Sequence, residues 1–298
     1  MRPLRSLLLY VCAVFLLGAL LAPWIYELTA WAGKSVPFFA KLSSKPFSRF
    51  VSRSLMVVAL LGLWPYLRSL GIHSWREVGV VKPSGQWGRL GLGFAAGFAT
   101  IACIGSLALL AGARMIQPEV GPRGLISASL SAIAGGVLEE LLFRGVLFGT
   151  LRKVHSWRTA LILSSVVYAL LHFFQRPPPP PDVTWSSGLE LLPQMLRGLA
   201  QIQTLVPGFF TLTLAGIILG WAFHRTGNLY FSIGLHAGWI FWIKSYTILT
   251  MLRPGANVWF WGTNKLIDGW SGLVGLAALL GMLVLLFRRT EKTARTSA

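Results

Sequence analysis

Glu139 and Glu140 stand side by side in Ser131-Ala-Ile-Ala-Gly-Gly-Val-Leu-Glu-Glu-Leu-Leu-Phe-Arg-Gly145, with apolar sequence on both flanks. An ionised group at bilayer depth costs about 2.5–3.5 kcal/mol on insertion scales, so carboxylates kept in such a setting point to function. Neighbouring positions on a helix face directions about 100° apart, so the two acids meet different surroundings. Arg144 follows Glu140 by four residues and shares its face, which permits an ion pair within one helix. Glu139 is left free for other work. Gly135 and Gly136, one turn earlier, allow a neighbouring helix to come close. Two further apolar segments carry one histidine each, His172 in Tyr168-Ala-Leu-Leu-His172 and His236 in Ser232-Ile-Gly-Leu-His-Ala-Gly-Trp239. A helical rise of about 1.5 Å per residue puts Glu139, His172 and His236 inside their helices, in the middle portion of the bilayer. A carboxylate and two imidazoles at shared depth are the parts for activating a water and stabilising an oxyanion. They are also the parts for holding a metal. A plainer reading stands beside these, with Glu140 and Arg144 as a clasp between helices and the histidines as hydrogen-bonded packing residues.

The rest of the chain tells what must position these residues. Of its 298 residues 54% are hydrophobic and only 12% charged, where soluble domains carry about a quarter charged. The mean hydropathy of +0.64 agrees with a membrane protein. The net charge of +18 comes from 27 Lys and Arg against 9 Asp and Glu. These basic residues are scattered through short loops, so they read as topology signals and contacts to anionic lipids. No polar domain is present to carry a basic face, and nucleic acid is not an expected partner. Cys12 and Cys103 both lie in apolar runs, which argues against a disulfide framework and reads as two small core residues.

Eight stretches approach the roughly 20 apolar residues that a spanning helix needs. They run approximately Leu7–Trp24, Ser54–Leu70, Leu90–Ala113, Leu125–Thr150, Thr159–Phe174, Leu205–Phe223, Leu229–Leu252 and Leu273–Phe287. The fold class expected is all-α, a polytopic transmembrane bundle of about eight membrane helices. The first run follows Arg2 and Arg5 and precedes a cleavage-like Ala30-Trp31-Ala32, but it is longer than a signal core and reads as a retained helix. A slight excess of basic residues places both termini and Arg152–Arg158 inside, and the connection after Arg176 outside. That connection opens with Pro177 to Pro181, which favours an extended rod over a helix and reads as a stiff loop. The basic first connection reads as an interfacial segment. The expected organisation is residues 1–87 as N-terminal membrane helices with that connection, 88–252 as the catalytic core, and 253–298 as a last helix with a basic tail.

Glu139-Glu140-x-x-x-Arg144, an aromatic-x-x-x-His ending at His172, and His236 in a later helix together resemble the CPBP family. That family comprises CAAX-type prenyl endopeptidases and bacteriocin-processing or immunity proteins. The resemblance covers approximately Gly88 to Thr250. It implies that Glu139 is a general base for the hydrolytic water, that His172 binds and orients the water, and that His236 donates to the oxyanion. Glu140 and Arg144 would fix the geometry. It implies no cofactor; a zinc ion on Glu139, His172 and His236 is the alternative, although no His-Glu-x-x-His motif is present. Two positions depart from the family pattern. Tyr168 replaces the usual Phe and adds a hydroxyl. Ile240 stands four residues after His236, where Asn or Asp is usual, and it has no hydrogen to donate. Trp239, with its indole N–H, and Lys244, two turns after His236, are the candidate replacements. Loss of one oxyanion donor typically slows a reaction about 100–1,000-fold.

The function expected is endoproteolysis of a peptide bond near the membrane, on a membrane-associated peptide or protein, in a multi-pass protein of the bacterial inner membrane, with membrane lipids as further partners. The alternatives are a zinc peptidase and a non-catalytic immunity or transport protein. Internal repeats would mark a transporter, and the sequence carries none.

Overall fold

The computed structural model describes residues 2–117 and 122–296. In chain order its helices are α1 (Arg2–Gly33), α2 (Pro37–Ser43), α3 (Phe47–Ser69), α4 (Trp87–Leu110), α5 (Pro122–Glu140), α6 (Gly149–Leu151), α7 (Trp157–Leu171), α8 (Ser187–Met195), α9 (Ile202–Thr226), α10 (Tyr230–Leu249), α11 (Val258–Trp261) and α12 (Trp270–Thr296). A π-helix, Leu141–Phe148, joins α5 to α6. The short strands β1 (Arg114–Ile116) and β2 (Thr250–Leu252) pair antiparallel. The all-α expectation holds, and each of the eight apolar stretches forms a helix. Among the described residues six helical segments are long and apolar enough to cross a membrane: Pro3–Gly33, Phe47–Ser69, Trp87–Leu110, Arg123–Leu151, Ile202–Thr226 and Trp270–Arg288. The fifth stretch, α7, is shorter at 15 residues. The seventh, α10, carries Ser232, His236, Lys244 and Ser245 among its apolar residues.

The chain divides into two compact units, residues up to His73 with Phe173–Gln201, and Ser74–His172 with residues from Ile202 on. In the first, α1 packs along α3, and α8 lies against α1. Ala22, Phe47, Phe50, Val51, Leu191 and Met195 form its core. The sequence reads the connection 175–204 as a stiff loop. Pro177 to Pro181 indeed have no regular structure, but Ser187–Met195 is a helix whose Leu191 and Met195 are buried. Gly188 meets the Ala19 carbonyl so closely that a side chain there would collide with it. The basic first connection contains α2, which buries none of its residues.

In the second unit α10 is the central helix, packed against α4 and α5 and touching α9. Its residues from Leu235 to Trp239 are all buried. Close approach explains this. Gly93 and Gly97 on α4 face Gly234 and Gly238 on α10, and a Cβ on any of them would run into the partner's backbone: Gly93 meets the Phe231 carbonyl, Gly97 that of Leu235, Gly234 that of Leu90 and Gly238 that of Phe94. Small residues four apart on both helices let the backbones touch, as in small-xxx-small membrane pairs. His236 sits between the two glycines of α10. The far end of α10 is pinned separately. The buried Arg114 donates to the Thr250 hydroxyl at 2.9 Å, the Thr263 carbonyl at 3.2 Å and Asn264 at 3.3 Å, and lies over the Tyr246 ring at 4.8 Å.

A matched pair of substitutions tests the glycine contact. Gly97→Ala places a methyl against the Leu235 carbonyl and should lower the melting temperature, since overpacking costs about 1–3 kcal/mol. Gly91→Ala, on the same helix with nothing within 4 Å of its added Cβ, should match or exceed the parent, because Ala is favoured over Gly in helices by about 1 kcal/mol. Thermal unfolding in detergent micelles reads both.

Two expectations need correction. Both cysteines are free and exposed on outward helix faces; their apolar neighbours are themselves exposed there, so apolar sequence did not mean core. His172 is not inside a helix. It caps α7, its N–H reaching back to Ala169 at 3.1 Å. The chain beyond it runs into the proline segment, and proline disfavours helix in the residue before it.

Candidate active site

Three elements bring the site together. Glu139 and Glu140 end α5, His172 caps α7, and His236 lies in the buried middle of α10. The π-helix begins at the residue after Glu140 and contains Arg144. Single π turns inside longer helices are frequent at functional sites, because the wider turn shifts the faces on either side of it. Gly136 gives α5 its approach to α10, touching Ala237 and the Ile233 carbonyl, as the glycine pair led one to expect.

Glu140 is fully buried and pairs twice. Arg144 Nη1 lies 3.0 Å from its Oε1, and His236 Nδ1 lies 3.0 Å from the same oxygen. Arg144, also buried, extends Nη2 to the Gly216 carbonyl on α9 at 3.5 Å and stacks its guanidinium 4.5 Å over the Tyr168 ring. The acid thus ties α5 to α10, and its arginine ties the π-helix to α7 and α9. The ion pair expected from spacing is present. The bond to His236 joins residues 96 positions apart and left no signal in the sequence.

Glu139 faces elsewhere. Its Oε2 stands 3.7 Å from His172 Nε2 and 3.7 Å from His236 Nε2, and has no hydrogen-bond partner among the described residues. Its side chain is 34% exposed and that of His172 29%, against 5% for His236, while the Oε2 atom itself is buried. The separate surroundings expected for adjacent glutamates are realised.

The second nitrogen of each histidine fixes its tautomer. His172 Nδ1 lies 2.8 Å from the Tyr168 carbonyl and His236 Nδ1 3.0 Å from the Glu140 carboxylate. Both partners only accept, so each Nδ1 carries the proton, and in the neutral imidazole each Nε2 presents a lone pair. The Tyr168 hydroxyl lies 3.3 Å from His236 Nε2. Tyr168 touches nearly every member of the cluster, with the His172 ring 4.3 Å away and Phe143 edge-on at 5.0 Å. Sequence reasoning noted its hydroxyl without giving it a place.

The departures near the end of the motif are also resolved in space. Ile240 rests its Cδ1 on Gly135. Lys244 is exposed. Trp239 is buried with its ring 6.3 Å from that of His236, and its indole N–H has no partner among the described residues.

Residues 122–242 match the model of the family described as type II CAAX prenyl endopeptidase Rce1-like. Over that stretch the chain is similar to that family. The match runs from the start of α5 into α10 and contains Glu139, Glu140, Arg144, His172 and His236, in agreement with the resemblance drawn from their spacing. Together with the six long apolar helices among the described residues, the match indicates an integral, multi-pass membrane protein. No curated protein and no solved structure matches the chain.

Proposed function

We propose that the protein is an intramembrane endopeptidase that cleaves membrane-associated peptides with water activated by Glu139. The observation that carries the proposal is the convergence of the Glu139 carboxylate, whose Oε2 is buried with no hydrogen-bond partner among the described residues, with two imidazole nitrogens, each 3.7 Å from it. A water lying among them finds acceptors for both of its protons, Glu139 Oε2 and the bare Nε2 of His172. Held so, its lone pair is turned outward to a substrate carbonyl. Glu139 takes one proton as the oxygen bonds to the carbonyl carbon and the C=O electron pair moves onto the carbonyl oxygen. On collapse the C–N bond breaks and Glu139 returns the proton to the leaving amine, so that one water is added across the peptide bond. Stabilising the oxyanion falls to the side of the site formed by His236 and the groups that touch it. Glu140 and Arg144 hold that side in place.

The CAAX prenyl endopeptidase description makes a prenylated C-terminal peptide the first substrate to try, with a membrane-tethered unprenylated peptide beside it. Cleavage by purified protein, mapped by mass spectrometry, tests the proposal.

Glu139, His172 and His236 are also the donor types of a catalytic zinc. The 3.7 Å between the carboxylate oxygen and each nitrogen is close to the roughly 3.4 Å that ligands about 2.1 Å from a tetrahedral ion leave between them, so the spacing suits an ion as it suits a water. Among the described residues no group of three or more His, Cys, Asp or Glu is disposed to hold a metal. On the glutamate mechanism cleavage should survive exhaustive chelation, and metal analysis of the active protein should find no stoichiometric zinc. Activity that returns only on adding metal would put the zinc peptidase in place of the glutamate mechanism.

A further inference from the structure

We propose that the Tyr168 hydroxyl is the hydrogen-bond donor to the oxyanion, and that His236 is the residue that positions it. The inference rests on the endopeptidase reading and deepens it.

A tetrahedral intermediate needs a preorganised donor about 2.7–3.1 Å from the oxygen that gains charge. His236 is the residue the family resemblance suggests, but its surroundings argue otherwise. Its Nδ1 proton is given to Glu140 at 3.0 Å. A neutral imidazole has no second proton, so Nε2 accepts. The group that lies 3.3 Å from that Nε2 is the Tyr168 hydroxyl, which in this tautomer is the donor to the nitrogen. Nε2 is also the atom 3.7 Å from Glu139 Oε2, so the hydroxyl stands beside the place where water and carbonyl meet.

The ring that carries this hydroxyl is held on several sides. It is 2% exposed, with the Arg144 guanidinium over one face, Phe143 at right angles and the His172 ring beside it. A donor so fixed needs no reorganisation when charge develops, which is where oxyanion stabilisation gains its strength. As the carbonyl oxygen becomes negative it is a better acceptor than a neutral nitrogen, since hydrogen bonds to charged acceptors are roughly twice as strong as neutral ones. The O–H then turns from His236 to the oxyanion. Tyr168 keeps its proton throughout; the proton in transit is the water's, carried by Glu139.

The other candidates are less well placed. Ile240 is hydrocarbon and rests on Gly135. Lys244 is exposed. Trp239 has an unpartnered N–H, but its ring centre is 6.3 Å from that of His236. The two departures from the family pattern are then complementary: the chain lacks a donor at Ile240 and has gained one at Tyr168.

The test uses full-length protein in detergent micelles and single-turnover and steady-state cleavage of the peptide substrate, with thermal unfolding of every variant. Tyr168→Phe removes one oxygen and should lower kcat by about 100–1,000-fold, with KM and melting temperature nearly unchanged. Ile240→Asn added to Tyr168→Phe should restore part of kcat by supplying a donor one turn from His236. If Tyr168→Phe also melts early, that rescue decides: a rate regained without regained stability supports the role, and no rescue overturns it. Tyr168→Phe cleaving at the parental rate while Glu139→Gln is inactive removes Tyr168 from the mechanism and leaves the endopeptidase reading standing. A kcat loss in Trp239→Phe with none in Tyr168→Phe moves the donor to the indole and overturns the proposal. Parental cleavage by Glu139→Gln itself overturns the reading beneath it.

Discussion

Glu139→Gln should abolish turnover and leave the protein folded. Gln has the shape of Glu and can hydrogen-bond, but it cannot take a proton from water. A positioned general base contributes about 100–10,000-fold, and that is the size of loss expected in single-turnover cleavage. The melting temperature should stay near the parent's, because the Glu139 side chain is 34% exposed and its Oε2 makes no hydrogen bond among the described residues. Parental cleavage by this variant would assign the carboxylates to a structural clasp and would return the non-catalytic immunity or transport reading to the front.

Glu140→Gln should behave in the opposite way, by failing first in stability. Its carboxylate is the shared partner of Arg144 and His236, both 3.0 Å from one oxygen, and it is fully buried. Neutralising it leaves the Arg144 guanidinium, 2% exposed, as a buried charge without its counter-ion. Breaking such a pair typically costs about 3–5 kcal/mol, because the remaining charge stays desolvated. Melting temperature and yield should fall along with activity. A variant that melts with the parent and loses only turnover would show that Glu140 takes part in the chemistry directly. The contrast between the adjacent glutamates is therefore measurable as two different failures, one of rate and one of folding.

The features legible in the sequence were those set by neighbours along the chain. The Glu140–Arg144 pair follows from a spacing of four residues, and the approach of α10 at Gly136 from the absence of a side chain there. Runs of apolar residues marked every long helix. What stayed hidden depends on which helices lie side by side. The His236–Glu140 bond and the Tyr168–His236 contact join positions 96 and 68 residues apart, and no local pattern encodes either. The helix α8 was obscured by the prolines before it, although its buried Leu191 and Met195, one turn apart, were there to be read. His172 shows a limit of apolar runs: hydrophobic sequence continues through Phe174 while the backbone has already left the helix. The π-helix has no sequence sign at all, since Leu-Leu-Phe-Arg-Gly-Val-Leu-Phe is equally good α-helix.

That π-helix also divides the surface of its own rod. Before it, Ile126, Leu130, Ile133 and Val137 form one outward stripe with steps of four, three and four residues, each between 42% and 64% exposed. After it the stripe has no successor: Arg144, Gly145, Val146, Phe148, Thr150 and Leu151 are buried, and the other residues from Leu141 to Leu151 are only partly exposed. A helical wheel drawn at constant pitch through the segment would carry the greasy flank onward past Glu140. The wider turn ends it there, so one continuous rod presents a lipid-wetted half and a protein-enclosed half, with the two glutamates at the seam.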